Sequence, residues 1–181
     1  MSEQDILNII SSDSTMMGIL NVASGFNLPD WAVGAGFVRN KIWDHLHNIE
    51  TESTDVDLVY FDPVNINENL EKEYDAILRS KFDVKWSTKN MARMHGVNGS
   101  GDSPYSSTED GIAHWPETAT SIGIRLCENK LNLVAPYGIG DLVNLIVRPS
   151  PKFSGGNHIV SKRVSSKKWL ETWPKLRLEI Q

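Results

Sequence analysis

The chain has 181 residues, of which 40% are hydrophobic and 23% are charged, so it is long enough for one domain with a hydrophobic core. A single cysteine, Cys127, excludes an intramolecular disulfide and a cysteine-rich zinc site. The net charge of −5 argues against a protein that coats nucleic acid through bulk electrostatics.

Charge is distributed unevenly along the chain. Residues 1–124 carry 8 Lys/Arg and 19 Asp/Glu, whereas residues 125–181 carry 10 Lys/Arg and 4 Asp/Glu. This asymmetry suits a site where carboxylates hold a metal and cations meet phosphate, although a solvated basic tail is the simpler explanation.

The N-terminal stretch MSEQDILNII lacks the basic-then-apolar order of a signal peptide, and no apolar run approaches a membrane span. We therefore expect a cytoplasmic protein with no membrane partner.

The first elements are predicted from the spacing of apolar residues. Residues 3–24 predict helices, with Asp13 or Ser14 as a cap inside the stretch. Residues 28–30 predict a turn and residues 31–33 a short extended segment. A further helix is predicted from near Gly36, because apolar residues recur at helical spacing up to Ile49.

A strand–helix–strand unit follows. Residues 55–62 form the clearest strand pattern, and residues 67–79 an amphipathic helix. Asn65 and Glu68 have the spacing of a capping box for that helix. Alternating polar and apolar residues predict the next strand over residues 82–88.

The rest of the chain is predicted less completely. Residues 90–95 indicate a short helical turn, which leads into the Gly- and Ser-rich stretch GVNGSGDSPYSS. Residues 121–126 and 131–135 predict a hairpin, and residues 141–147 are apolar but too short to assign. This order of elements predicts an α/β or α+β fold with a small sheet.

Asp55 and Asp57 are the sharpest chemical feature. Side chains two apart on a strand project from the same face, roughly 6.7 Å apart along it. Two such carboxylates repel each other unless they are solvated, protonated or bridged by cations. A divalent pair held there can activate an attacking hydroxyl and stabilise a leaving pyrophosphate, and Mg²⁺ (or Mn²⁺) prefers such hard oxygen ligands. Asp-x-Asp alone is weak evidence, because solvated strand ends and some sugar-nucleotide glycosyltransferases also carry it.

The turn Gly34-Ala35-Gly36 lies upstream of the aspartates. Its small residues let the backbone approach a ligand closely, and the helix that follows offers unpaired N–H groups to phosphate. Arg39, in the first turn of that helix, can add a forked cation. The alternative is a tightly packed structural turn with Arg39 on the surface.

Together these features resemble the nucleotidyltransferase superfamily, whose core joins a Gly-rich turn and helix to an Asp-x-Asp strand. The segment from Ala35 to Asn40 is similar to the Gly-Gly-x-Val-Arg-Asp start of tRNA CCA-adding enzymes and bacterial poly(A) polymerases. Ala35 replaces the first glycine and Asn40 the aspartate, so specificity for tRNA is not carried over.

A more extensive resemblance runs from about Leu28 to Trp173. The segments LPDWAVGAGFVRNKIWDHLH, DVDLVYFD, WSTKNMARMH, WPETATSIGIRL, APYGIGDL and VRP are similar, in this order, to a bacterial family of predicted nucleotidyltransferases.

This resemblance implies a nucleotidyltransferase-like small mixed sheet flanked by helices. We expect a single domain over residues 1–181, with its core at about 28–135 and a basic C-terminal segment over 148–181. The resemblance also implies that Asp55 and Asp57 bind metal and that the Gly34-Ala35-Gly36 turn binds phosphate.

A third carboxylate usually stands on a neighbouring strand in this superfamily. Relatives often have an acid directly after the tryptophan of that strand, where this chain has Ser87. Asp83 shares the predicted face of Ser87 and is our catalytic candidate; Asp62 and Asp141 are weaker ones.

Further nucleotide contacts are expected from Lys89, Asn90 and Arg93, which follow the third predicted strand. Asn90 and Arg93 are three residues apart and share a helix face. An interior network that holds the short helix in place is an equally good interpretation of these residues.

Three functions remain open at this point. The first is metal-dependent transfer of a nucleoside monophosphate from an NTP to an acceptor, which could be RNA, a protein or a small molecule, with release of pyrophosphate. The second is a non-catalytic nucleotide- or RNA-binding protein on the same fold, favoured by Ser87. The third is a structural or interaction protein whose acids merely end a strand.

Overall fold

The computed structural model describes residues 1–52, 55–97, 102–153 and 156–180. Within these residues the chain forms a mixed sheet that is flanked by helices, as the sequence predicted. The helices are α1 (Glu3–Ser11), α2 (Ser14–Ser24), α3 (Gly36–His47), α4 (Glu68–Lys81), α5 (Met91–Met94), α6 (Thr108–Ala113), α7 (Gly140–Val143), α8 (Gly156–Ser166) and α9 (Trp169–Thr172).

The strands of the main sheet are β1 (Ala32–Gly34), β2 (Val56–Tyr60), β3 (Trp86–Asn90), β4 (Gly123–Cys127) and β5 (Lys130–Val134). Their order across the sheet is β3-β2-β1-β4-β5. The β2–β3 pair is parallel, and helix α4 makes the crossover between the two strands that a parallel pair requires. The other pairs in this sheet are antiparallel. Two short strands, β6 (Ile146–Val147) and β7 (Arg177–Leu178), pair in parallel apart from it.

Helix starts follow local capping chemistry. Asp13 caps α2, because its Oδ1 accepts hydrogen bonds from the N–H groups of Thr15 and Met16. This cap confirms the predicted break between α1 and α2. The predicted capping box of α4 is wrong, because Asn67 is the cap and Asn65 bonds to Asp62 instead.

The third strand begins later than the alternating pattern predicted. Helix α4 continues to Lys81, and the N–H of Phe82 still donates to the carbonyl of Leu78 at 2.9 Å. Two basic residues in the last turn of α4 favour this extension, because they complement the helix dipole. Residues 82–85 therefore connect α4 to β3, and the strand runs from Trp86 to Asn90.

The sheet buries both faces. One face carries the large core, in which Val33, Leu58 and Ile124 pack against α1, α2 and α3. The opposite face carries a smaller cluster that includes Val59 and Ile112. Because side chains alternate along a strand, the residues at odd positions of β2 project toward this second face.

The C-terminal segment contributes to the large core. Its buried apolar residues belong to the same cluster as Ile6 of α1. They include Val160 and Val164 of α8, Trp169 of α9, and Trp173, which caps the end of α9. Sequence patterns missed these elements, because basic residues separate the few apolar ones.

The hairpin of β4 and β5 confirms the predicted one. Glu128 and Asn129 form its two-residue turn with φ of 49° and 60°, values that suit a tight hairpin. Cys127, the last residue of β4, is exposed. No helix in the described parts of the chain is long and apolar enough to span a bilayer.

Candidate active site

The turn between β1 and α3 is built from backbone contacts. Ala35 has a left-handed φ of 53°, donates its N–H to the carbonyl of Ile122 at 2.9 Å, and precedes a helix that has no side-chain cap. A Cβ on Gly34 would lie 2.6 Å from the ring of Trp115, so only glycine fits there. The N–H groups of the first turn of α3 therefore have no side-chain acceptor, which is the property of an anion site.

Asp55 and Asp57 lie beside this turn at the start of β2. Asp57 is paired with Gly34 of β1 on one side and with Ser87 of β3 on the other. Asp55 directly precedes the strand, and its Oδ2 is 2.8 Å from Nζ of Lys85. The fold thus brings the paired acids and the glycine turn together, although 18 residues, 37–54, lie between them in sequence.

The electrostatics of Asp57 favour a bound cation. Burial raises the pKa of Asp57, and the neighbouring charge of Asp55 raises it further. A hydrogen bond from Ser87 and the charges of Arg39 and Lys167 act in the opposite direction but do not cancel the rise. A cation between the two carboxylates would offset the cost of burial and of charge repulsion for the ionised form of Asp57.

The described residues place no third carboxylate beside this pair. Asp83 lies in the connection before β3, its side chain is 87% exposed, and it pairs with Arg79 at 3.3 Å. Asp62 caps its own turn, and Asp141 pairs with Arg148 at 3.0 Å. Among described residues no group of three or more acids, histidines or cysteines could hold a metal ion.

Arg39 is buried, with 5% of its surface exposed. Its guanidinium donates to Oγ1 of Thr120 and Oδ1 of Asn40, both at 2.8 Å, and lies 4.3 Å from the ring centroid of Trp169 and 5.1 Å from that of Trp43. Burial lowers the pKa of Arg39 to about 10, so it stays protonated at neutral pH. The alternative that placed this side chain on the surface is wrong.

A cavity of about 490 Å³ opens beside the turn. Gly36 and Asn40 of α3 line it together with Asp55, and so does the N-terminal end of α2. Two predicted ligand-binding residues and one predicted metal ligand therefore face the same space.

Lys89, Asn90 and Arg93 converge on the fully buried Glu71 of α4. Arg93 donates its Nε to Glu71 at 2.6 Å, the N–H of Asn90 donates at 2.9 Å, and Nζ of Lys89 lies 3.2 Å away. Burial acts to raise the pKa of Glu71, but these hydrogen bonds outweigh it and the pKa is lowered. The side chain of Asn90 also caps α5, as the interior-network interpretation proposed.

Sequence patterns missed an ion pair that lies close to Arg39. Arg163 of α8 donates its Nε to the fully buried Glu117 at 2.7 Å, and both charges act on Arg39. The two partners are 46 residues apart and form no local motif. The only sequence signal was that Glu117 falls within a segment shared with the resembled family.

The fold defines the class of the protein. A solved NMR structure described as revealing a CCA-adding enzyme head domain is 32% identical and matches with a TM-score of 0.87, over 99% of this chain and 97% of that one. A complex of a CCA-adding enzyme with CTP matches with a TM-score of 0.57 at 15% identity, over 99% of this chain and 43% of that one. A tRNA nucleotidyltransferase with a primer tRNA and an ATP analogue matches with a TM-score of 0.51 at 17% identity, over 89% and 46%. The last two likenesses show the fold alone, and this chain spans less than half the length of those proteins.

Residues 21–178 match a family model described as nucleotidyltransferase, and the chain belongs to this family. It is thus an enzyme of the nucleotidyltransferase class. A search of curated proteins gives no significant match.

Proposed function

We propose that the chain transfers a nucleoside monophosphate from an NTP to an acceptor and releases pyrophosphate. One observation carries the proposal: Asp57 is paired directly with Gly34, so the two acids stand beside a glycine turn and an uncapped helix start. The N–H groups of that helix start would donate to the triphosphate, with Ala35 and Gly36 allowing close approach.

Asp55 and Asp57 are the proposed ligands of Mg²⁺ or Mn²⁺. Their hard oxygen donors fit such an ion, which is commonly held by one or two carboxylates together with substrate phosphates. The raised pKa of Asp57 supports this fit, because burial and the charge of Asp55 disfavour the ionised acid when no cation is near. When bound, the ion would neutralise phosphate charge and activate the attacking hydroxyl.

The chain's own residues would act mainly by positioning and charge. Asn40 would bind the nucleotide from the cavity wall. Asp83 is the proposed acceptor of the hydroxyl proton; it pairs with Arg79 outside the aspartate pair in this structure, so this role requires the connection before β3 to move toward Asp57. Lys89, Asn90 and Arg93 would contribute through the network around Glu71, which sets the position of β3 beside Asp57. The proposal includes three classes of acceptor: RNA, a protein or a small molecule.

The test is a pyrophosphate-release assay with purified protein, magnesium, each of the four NTPs and a cell extract as the source of acceptor. Asp57→Asn keeps the shape of the side chain but removes its charge, and we expect it to lower activity at least about a hundredfold. Glu128→Gln, in the hairpin at the other edge of the sheet, is the matched control and should keep full activity. Undiminished pyrophosphate release by Asp57→Asn would refute the assignment.

The non-catalytic alternative rests on Ser87, which occupies the register position opposite Asp57. Under this alternative the chain would bind NTP but would release no pyrophosphate under the conditions in which it binds. Calorimetry with ATP, followed by the release assay on the same sample, separates the two functions.

A further inference from the structure

Trp115 differs from the other tryptophans of the chain in where it lies. Its side chain is partly buried and packs beside the small cluster on the second face of the sheet, the face to which Asp57 belongs. The others belong to the large core on the opposite face and are at most 7% exposed: Trp31, Trp43, Trp86, Trp169 and Trp173. Trp115 is therefore the tryptophan that a ligand on the face of Asp57 could contact.

The register of the sheet places Trp115 beside Asp57. Gly34 lies directly opposite Asp57 in the antiparallel pair, and side chains at opposite positions project from the same face about 5 Å apart. Gly34 has no side chain, and a Cβ built on it would lie 2.6 Å from Cη2 and 2.9 Å from Cζ3 of Trp115. The edge of the indole thus occupies the place of a side chain next to Asp57.

The backbone on both sides of Trp115 is held in place. Its N–H donates to the carbonyl of the fully buried Ile112 at 3.1 Å. Two residues further on, the fully buried Glu117 is paired with Arg163 at 2.7 Å. The indole is therefore presented from a fixed backbone, and a ring that is already ordered loses little entropy when a ligand packs on it.

We propose that Trp115 stacks on the base of the bound NTP, an inference that rests on the proposed function. For the transfer, the α-phosphate must lie at Asp55 and Asp57, while the β- and γ-phosphates extend toward the start of α3. The nucleoside is joined to the α-phosphate, so its base lies one ribose away from the aspartates, at the distance of the indole. Every nucleobase has a π-face, so one tryptophan can serve all four NTPs.

Titration calorimetry in magnesium buffer tests this contact with two probes: α,β-methylene ATP, and inorganic tripolyphosphate, which has no base. We expect Trp115→Leu to weaken binding of the ATP analogue about tenfold, the effect of losing one stacked base, and to change tripolyphosphate binding by less than about twofold. Trp115→Phe keeps an aromatic ring and should stay within about threefold of the wild-type affinity for the ATP analogue.

His114→Leu is the matched control. His114 is the neighbouring partly buried ring, but it stacks on the ring of Tyr105 at 4.4 Å, inside the protein. This variant should bind both probes as the wild-type chain does, whereas a general loosening of the end of α6 would weaken binding in both variants.

Acrylamide quenching of tryptophan fluorescence gives a second readout, because the tryptophans other than Trp115 are buried. The ATP analogue should reduce quenching in the wild-type chain, and tripolyphosphate should not. In Trp115→Phe the ATP analogue should leave quenching unchanged although it still binds. A purely structural role of the ring would produce none of these differences.

Equal affinity of Trp115→Leu and the wild-type chain for the ATP analogue would overturn the inference, as would an equal loss for both probes or the same loss in His114→Leu. If Trp115→Leu also released pyrophosphate from ATP with an unchanged KM, the proposed function would stand without this contact. Trp115-dependent binding with no pyrophosphate release would support the contact and refute the proposed catalysis. A wild-type chain that binds no nucleotide would overturn both.

Discussion

Ser87 distinguishes the candidate active site from a site with three carboxylates. It faces Asp57 across the parallel pair of β2 and β3 and donates a hydrogen bond to it, which partly offsets the burial and charge that raise the pKa of Asp57. Neighbouring strands lie about 4.8 Å apart, so an acid at this position would be within reach of a shared cation. The residue thus provides a direct test of the proposed metal site.

We expect Ser87→Asp to be less stable than the wild-type chain in EDTA, by about 1–2 kcal/mol, because a third carboxylate joins two that already repel. Magnesium should reverse the loss and raise the melting temperature more than it does in the wild type. Thermal denaturation in EDTA and in magnesium measures both effects. Ser87→Asn, which has the same size without the charge, is the control; an equal magnesium response in the two variants would place the ion elsewhere.

At the scale of elements, α4 protects the free edge of the sheet. β3 is an edge strand, and its outward N–H groups on Thr88 and Asn90 donate to Asp75 and Glu71 of α4, at 2.8 and 2.9 Å. Edge strands with unpaired N–H groups invite pairing with other chains. The acids of α4 therefore accept hydrogen bonds from the free N–H groups of β3, the strand that carries Ser87. These bonds help to hold β3 in register with Asp57.

Glu71→Gln should destabilise the protein by about 3 kcal/mol at pH 7, because it leaves Arg93 without its buried partner. The folded-state pKa of Glu71 is lowered from 4.5, so its contribution is fully present above about pH 4.5 and is lost as the pH falls through the folded-state value. The difference between variant and wild type should therefore shrink in acid.

Urea denaturation between pH 3.5 and 7 measures this difference. Glu73→Gln, an exposed change on the same helix, should stay within about 0.5 kcal/mol of wild type throughout. A Glu71→Gln difference that is constant over this pH range would contradict the role given to the ion pair.

The sequence predicts an element well when residues close to it in the chain determine its structure. Asp13 as a cap, the strand of Asp57 and the hairpin at Glu128 depend on neighbouring residues, and the structure confirms them. The start of β3 was misplaced because the alternation from Phe82 competes with the extension of α4, which the basic residues in the last turn of that helix favour. The burial of Arg39 could not be predicted either, since the residues that cover it lie about 80 and 130 positions away.

On the scale of the whole molecule, the two ends of the chain meet in one core. Trp173 donates its Nε1 to the buried Asp44 of α3 at 2.7 Å, and the rings of Trp43 and Trp169 pack edge to face at 5.4 Å. We propose on this basis that residues 1–181 fold as one unit, rather than as a catalytic core with a dispensable basic tail.

A chain that ends at residue 147 should then fail to fold cooperatively, because it loses the buried side chains of Val160, Val164, Trp169 and Trp173. Each buried tryptophan alone is worth about 3–5 kcal/mol, which together approach the whole stability of a domain. Near-ultraviolet circular dichroism and thermal denaturation of the short and full-length chains measure the loss. A sharp unfolding transition in the short chain would show that the core is independent of its C-terminal segment.

Cys127 offers a practical route to the unknown acceptor. It is the sole thiol of the chain, it is exposed, and it ends β4 at the hairpin, two strands away from β2. Maleimide chemistry can therefore attach every molecule to a resin in one orientation, with no mutagenesis and with the aspartates untouched. Cell extract can then be passed over a column of this resin in the presence of a nucleotide analogue. Molecules that bind the protein would stay on the resin, and mass spectrometry would identify them.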